Sequence, residues 1–317
     1  MKSLGLAYHP DFLLHDAGSD HPDTPERILA ICDSLRKASW HDEIDWIEAR
    51  EAIQEEVALT HNIAYVEAMR RLCDSGGQYL PSMGANVSPG TYPAAMRAVG
   101  AGLTLADGVI KGKWKTGFSP TRPPGHHAVW ERPMGLCVFN NIAILARYLI
   151  ESHGLDRIAI IDFDAHHGNG TQLVFWKDPS VLYCSIHRDN LFPSDTGNAE
   201  NIGEDEGEGF TLNIPLPKGS GDKEYFSVFD DSIIPKVASF KPKMILVSAG
   251  FDAHEKDKVG GMEVSSAGFE CFGQKIAALA KKISCMGIIS LLEGGYNIEG
   301  LVDGVNAYLH GLIKSYG

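Results

Sequence analysis

Short apolar runs recur along the chain, each ending in a polar or glycine-rich turn. Residues 4–8, 116–119, 158–163, 181–186, 210–214, 244–248 and 287–292 form such runs, rich in Ile, Leu and Val. Continuous apolar character over so few residues predicts strands buried on both faces rather than strands with one wet side. The intervening segments 25–37, 55–72, 93–111, 141–152, 223–240, 267–283 and 299–314 carry apolar residues at helical spacing, several behind Asp, Asn, Thr or Ser caps. Strand-then-helix alternation demands crossover connections, which are right-handed and give a largely parallel sheet. The expected fold is therefore α/β, a central mostly parallel sheet flanked by helices. No linker, low-complexity tract or internal repeat divides the pattern, so one domain is expected over residues 1–317.

The polar residues that end the runs are not scattered in type. Segments 122–127, 162–167, 187–189, 252–254 and 293–296 each follow an expected strand, and five such clusters would meet at the carboxyl edge of a parallel sheet. In Ile161-Asp162-Phe163-Asp164-Ala165-His166-His167-Gly168-Asn169, Asp164 and His166 are two apart and share a face of an extended segment. Asp252, in Ala249-Gly250-Phe251-Asp252, is the natural third ligand from a later strand end. Three protein ligands and an open position are the pattern of a catalytic zinc site. Oxygen-rich ligation also suits iron(II), manganese or cobalt, so the residues alone leave the metal open.

Two further motifs carry acid–base chemistry. Arg122-Pro123-Pro124-Gly125-His126-His127 holds adjacent imidazoles in a stiff turn, with Asp162 and Asn169 available as partners for their other ring nitrogens. A carboxylate raises the proton affinity of its imidazole, whereas an amide mainly orients the ring, so the two histidines are expected to differ. In Glu293-Gly294-Gly295-Tyr296-Asn297, paired glycines permit a tight turn that can present the Tyr296 hydroxyl to a developing oxyanion.

Composition narrows the partners. A net charge of −13 over 317 residues argues against a nucleic-acid backbone and is compatible with cationic substrates, although it also simply favours solubility. The acidic segment Gly203–Gly209 would repel phosphate and reads as a solvated loop. The six cysteines include no Cys-x-x-Cys pair, against a zinc ribbon or disulfide framework. No apolar run reaches membrane-spanning length and the first residues make a poor signal peptide, so a soluble cytoplasmic protein with no membrane partner is expected.

Taken together and in this order, the motifs from His21-Pro22-Asp23-Thr24-Pro25-Glu26-Arg27 to Glu293-Gly294-Gly295-Tyr296-Asn297 resemble the histone deacetylase superfamily of zinc-dependent amidohydrolases, particularly class II members and their bacterial relatives. The resemblance implies a single arginase/deacetylase-like domain with its active site at the carboxyl ends of the strands. It implies zinc on Asp164, His166 and Asp252, His127 as general base and then acid, and His126 with Asp162 as its electrostatic partner. Asn169 orients His127, and Tyr296 stabilises the tetrahedral intermediate. It further implies a structural potassium site at Asp162, Ser185 and Ile186, and a substrate channel along Gly135, Leu136, Phe192 and Gly294. Arg27 matches a residue that lines an internal cavity in relatives, with an exposed helical arginine as the alternative.

The chain also departs from the family pattern. Leu136 stands where an aromatic usually faces Phe192, which suggests a wider channel that takes longer acyl groups. Ser82-Met83-Gly84-Ala85-Asn86 lacks the acid that grips the substrate backbone, and Val259 stands in the region of the polyamine-selective glutamate. The expected activity is deacylation of Nε-acyl-lysine in peptides or proteins by a stand-alone bacterial enzyme, with self-association open. An acylated polyamine or other small acylated amine is the alternative substrate, and a silent acyl-lysine binding module the non-enzymatic one.

Overall fold

The computed structural model describes residues 2–18, 21–80 and 85–316. Ten strands are placed: β1 (Leu4–Tyr8), β2 (Ile44–Glu48), β3 (Gln78–Leu80), β4 (Ala85–Val87), β5 (Thr116–Ser119), β6 (Ile158–Asp162), β7 (Val181–Arg188), β8 (Thr211–Leu216), β9 (Met244–Ala249) and β10 (Ile288–Leu292). The helices are α1 (Pro25–Lys37), α2 (Gln54–Val57), α3 (Ile63–Asp74), α4 (Thr91–Ile110), α5 (Asn141–Glu151), α6 (Asn169–Val174), α7 (Asp222–Val228), α8 (Ile234–Phe240), α9 (Ser266–Lys282) and α10 (Ile298–Tyr316). Eight strands form one sheet in the order β2-β1-β5-β10-β9-β6-β7-β8, with every neighbouring pair parallel. The expected single α/β domain is observed, and its main sheet is parallel throughout. Strands β3 and β4 make a separate antiparallel hairpin.

All seven strands expected from apolar runs are present. The main-sheet strand absent from that reading is β2, whose sequence Ile-Asp-Trp-Ile-Glu is half exposed at the sheet edge, so its burial is too shallow to leave a continuous apolar run. At the opposite edge β8 includes Pro215, tolerated where a missing N–H leaves no neighbour unpaired. The helix expected over 55–72 is two helices, because Asn62 starts α3 afresh by accepting from the Ala64 N–H at 2.9 Å. The helical segment expected over 223–240 is continuous in direction but passes through a π turn at Phe229–Ile233. Pro235 follows at once and has no N–H for the regular ladder, which accounts for the irregular turn.

Side-chain alternation beyond β6 separates core from site. Phe163 and Ala165 are fully buried, and the Phe163 ring packs edge-on against Phe251, Phe269 and Tyr308 at centroid distances of 5.3–6.0 Å. Asp164 and His166 alternate with them and so point to the other side. Apolar burial on one side fixes the register that delivers ligands on the other.

Candidate active site

Five segments meet at the carboxyl edge of the sheet, after β5, β6, β7, β9 and β10. Ligand atoms of Asp164, His166 and Asp252 all lie within 4.8 Å of one another, and all three side chains are buried. Among the described residues this is the one group of three such side chains with that spacing. His166 Nδ1 is 2.7 Å from Asp252 Oδ2 and 3.1 Å from Asp164 Oδ1. The carboxylates are themselves held: Asp164 Oδ2 accepts from the Gly294 N–H at 2.8 Å, and Asp252 Oδ1 from the Ala165 N–H at 2.9 Å. A Cβ on Gly294 would fall 2.5 Å from Asp252 Oδ2 and 2.7 Å from Asp164 Oδ2, so glycine is required beside the cradle.

The electrostatics fit a divalent cation. Burial opposes charge on His166, yet Asp252 and Asp164 raise its pKa to about 10. The field that draws a proton there draws a metal ion as well, with the ring neutral as a ligand. Burial and then the neighbouring Asp164 charge push the Asp252 carboxyl up, the cost of bringing two carboxylates together away from water. The donor set of two carboxylates and one imidazole suits zinc, iron(II) or manganese.

Beside the cradle the two histidines have opposite character. His126 Nδ1 lies 3.1 Å from Asp162 Oδ2; burial disfavours its charge, but Asp162, Asp164 and Glu293 lift its pKa to about 10. His127, 4.1 Å away between ring centroids, is held well below the usual range by burial and by the His126 and His166 charges. Its Nδ1 lies 2.8 Å from Asn169 Oδ1, which makes Nδ1 the protonated nitrogen and leaves Nε2 a free base. Asn169 is the first residue of α6, and Asp162 is further tied to the Tyr183 hydroxyl at 3.1 Å.

The remaining expected residues are distributed around this centre. Phe192 stands edge-on to His127 at 5.2 Å and is 46% exposed. Gly135 is packed so closely that a Cβ would lie 2.6 Å from Phe192 and 2.7 Å from His127; Leu136 follows it at φ 74°, and Cys137 Sγ accepts from the His127 N–H at 3.4 Å. Tyr296 is half-buried, and burial together with Asp252 and Asp164 keeps its phenol protonated. Asp162 is directly opposite Ser185 in the β6–β7 register, with Ile186 next in the strand. Arg27 is fully buried rather than on an exposed helix face, donating to Gly295 O at 2.6 Å, Glu293 O at 2.7 Å and Asp23 Oδ1 at 2.6 Å. Val259 is exposed, and of the segment 82–86 only Ala85 and Asn86, in β4, fall within the described residues.

A model described as the histone deacetylase domain matches residues 21–312. The chain belongs to the histone deacetylase family. It is 40% identical to histone deacetylase 10, chloroplastic, of Oryza sativa, over 96% of this chain and 74% of that one. It is 37% identical to the human polyamine deacetylase HDAC10, over 95% of this chain but 46% of that longer protein. The crystal structure of the HDA15 HD domain superposes with a TM-score of 0.93 at 33% identity, covering 99% of this chain and 90% of that one.

Two side chains that tie these segments together carry no role in the reading of the sequence. Glu293 Oε2 accepts from the Gly125 and His126 N–H groups at 2.7 and 3.1 Å, tying the histidine turn to β10. Asp257 accepts from the backbone at Tyr296. Glu293 lies inside a strand-end cluster and could have been suspected; Asp257 sits in a charged turn, Glu255-Lys256-Asp257-Lys258, that reads as solvated surface.

Proposed function

We propose that the protein is a zinc-dependent amidohydrolase that removes acetyl or longer acyl groups from Nε-acyl-lysine. The observation that carries this reading is the pair of adjacent imidazoles, His127 on Asn169 and His126 on Asp162, beside the Asp164–His166–Asp252 cradle. When bound, the ion supplies Lewis acidity: it polarises the amide carbonyl and lowers the pKa of water to about 7. His127 takes the proton of the attacking water at Nε2 and delivers it to the amine nitrogen as the C–N bond breaks. His126 keeps its own proton and, by its charge, keeps His127 from holding one at rest. Tyr296 donates its hydroxyl to the carbonyl oxygen as negative charge builds there. The products are a carboxylic acid and a free lysine amine.

Leu136, standing where the family pattern has an aromatic across from Phe192, supports acceptance of acyl chains longer than acetyl, and the net charge of −13 favours cationic acceptors. Acylated polyamines are the second reading, supported by the human relative and by that charge; exposed Val259 in place of an acid weighs against it. The alignment of Asp162 with Ser185 supports a potassium ion among the backbone oxygens of β6 and β7. All six cysteines are free thiols, in keeping with a reducing compartment such as the cytoplasm; among the described residues no helix is long and apolar enough to cross a membrane.

The test is amine release from an acetyl-lysine peptide and its octanoyl counterpart by protein before chelation, after chelation, and after zinc restoration. Turnover that vanishes with the metal, returns with zinc and falls in Tyr296→Phe is expected. Turnover indifferent to chelation would reject the metal-dependent reading, and turnover of acetylpolyamines alone would move the substrate to the second one.

A further inference from the structure

Asp257 lies in the turn beyond Asp252, buried to 3% exposure, with both carboxylate oxygens committed to backbone N–H groups. Oδ2 accepts from Tyr296 N at 2.6 Å and Asn297 N at 2.9 Å, while Oδ1 accepts from Val259 N at 2.8 Å. The side chain thus bridges the turn after β9, which bears a metal-cradle carboxylate, and the turn after β10, which bears Tyr296. The peptide unit between Gly295 and Tyr296 is gripped at both ends, its carbonyl by Arg27 Nε at 2.6 Å and its N–H by Asp257. Gly295 is at φ 119°, in the region where glycine has wide freedom, so this peptide would otherwise have little to hold its orientation.

Among the described residues the Tyr296 hydroxyl has no hydrogen-bond partner. Its ring lies 5.1 Å from the Arg27 guanidinium carbon, and with no hydrogen bond to hold the hydroxyl its aim is inherited from the backbone. We propose that Asp257 is a positioning residue for catalysis, setting Tyr296 by clamping its N–H. This rests on the reading of Tyr296 as the donor to the developing oxyanion. A displacement of about 1 Å in such a donor suffices to forfeit most of its effect on rate.

The experiment compares wild type, Asp257→Asn, Tyr296→Phe and the double variant in steady-state deacetylation of the acetyl-lysine peptide, each zinc-loaded. The asparagine side chain would retain one acceptor oxygen but place an amide donor among N–H groups that need acceptors. Asp257→Asn is expected to lower kcat by about 10- to 100-fold, approaching the roughly 100-fold or more lost when an oxyanion donor is deleted, with KM and zinc affinity unchanged within about twofold of wild type. In the Tyr296→Phe background the same substitution is expected to cost nothing further, because the hydroxyl it aims is gone. An unchanged kcat in Asp257→Asn, a further tenfold loss in the double variant, or a parallel loss of zinc affinity would each overturn the assignment. Failure of Tyr296→Phe to slow turnover would instead sink the underlying reading of Tyr296.

Discussion

Glu293 offers the sharpest separation of hydrogen bonding from charge. Its side chain is fully buried and accepts from two backbone N–H groups and from the Ser248 hydroxyl at 3.2 Å. Glu293→Ala leaves both N–H groups buried without an acceptor, at about 1–3 kcal/mol each, so a loss of about 2–6 kcal/mol is expected. Glu293→Gln keeps a carbonyl oxygen for the two N–H groups and an amide for Ser248, so at about pH 5 and below it should cost less than about 1 kcal/mol. Charge then adds a pH dependence. Burial, opposed by His126 and the Gly125 N–H, pushes the Glu293 carboxyl from 4.5 up to about 7.

Because the folded state holds this proton more tightly than the unfolded one, the contribution of Glu293 to stability is lost as pH rises from 4.5 through 7, and the full cost remains above that. The glutamine has no such dependence. Relative to wild type it should therefore gain on the order of 3 kcal/mol between acid and pH 8.5. Urea unfolding of chelator-treated protein at pH 5 and pH 8.5 measures both effects. Equal losses for alanine and glutamine at pH 5 would refute the hydrogen-bond account, and a glutamine-to-wild-type difference that ignores pH would refute the charge account.

Asn169→Asp puts a carboxylate on His127 Nδ1 and should raise the pKa of the base, moving the acid limb of the kcat/KM profile upward by about one unit or more; since the base works unprotonated, activity near pH 6 should fall while that at pH 8.5 is largely kept, and an unmoved limb would assign the limb to another group. Gly294→Ala drives a methyl between Asp164 and Asp252, so zinc affinity measured by chelator competition should drop by at least about tenfold, whereas a shift below twofold would mean that the β10 turn moves freely away from the cradle.

The strand framework was legible because buried parallel strands need unbroken apolar runs, as in Ile158–Asp162 and Met244–Ala249. Edge strand β2 escaped because half of its surface is wet and its sequence mixes Asp and Glu with Ile. In the site, Asp164 and His166 were readable from two-residue spacing alone, and the His126–Asp162 and His127–Asn169 pairs from chemical fit; the structure places all of them within hydrogen-bonding reach. What stayed hidden was the bracing. Arg27 and Asp257 act through backbone atoms far along the chain, 266 residues away for the Glu293 carbonyl and 39 for the Tyr296 N–H, and a backbone acceptor or donor leaves no mark on the residue type that provides it.

Strand β10 is the last of the described strands to be synthesised, yet it lies in the middle of the sheet, between β5 and β9. Without residues 288–292 no strand pairing joins β2-β1-β5, whose last strand leads into the histidine turn, to β9-β6-β7-β8, whose strand ends lead into Asp164, His166 and Asp252. This keystone leads directly into Glu293, which accepts from the N–H groups of the histidine turn, and into Gly294, whose N–H donates to Asp164. The relative placement of the histidine turn and the Asp164–His166–Asp252 group thus depends on the strand made last, and a shift in the register of β10 would disturb both at once.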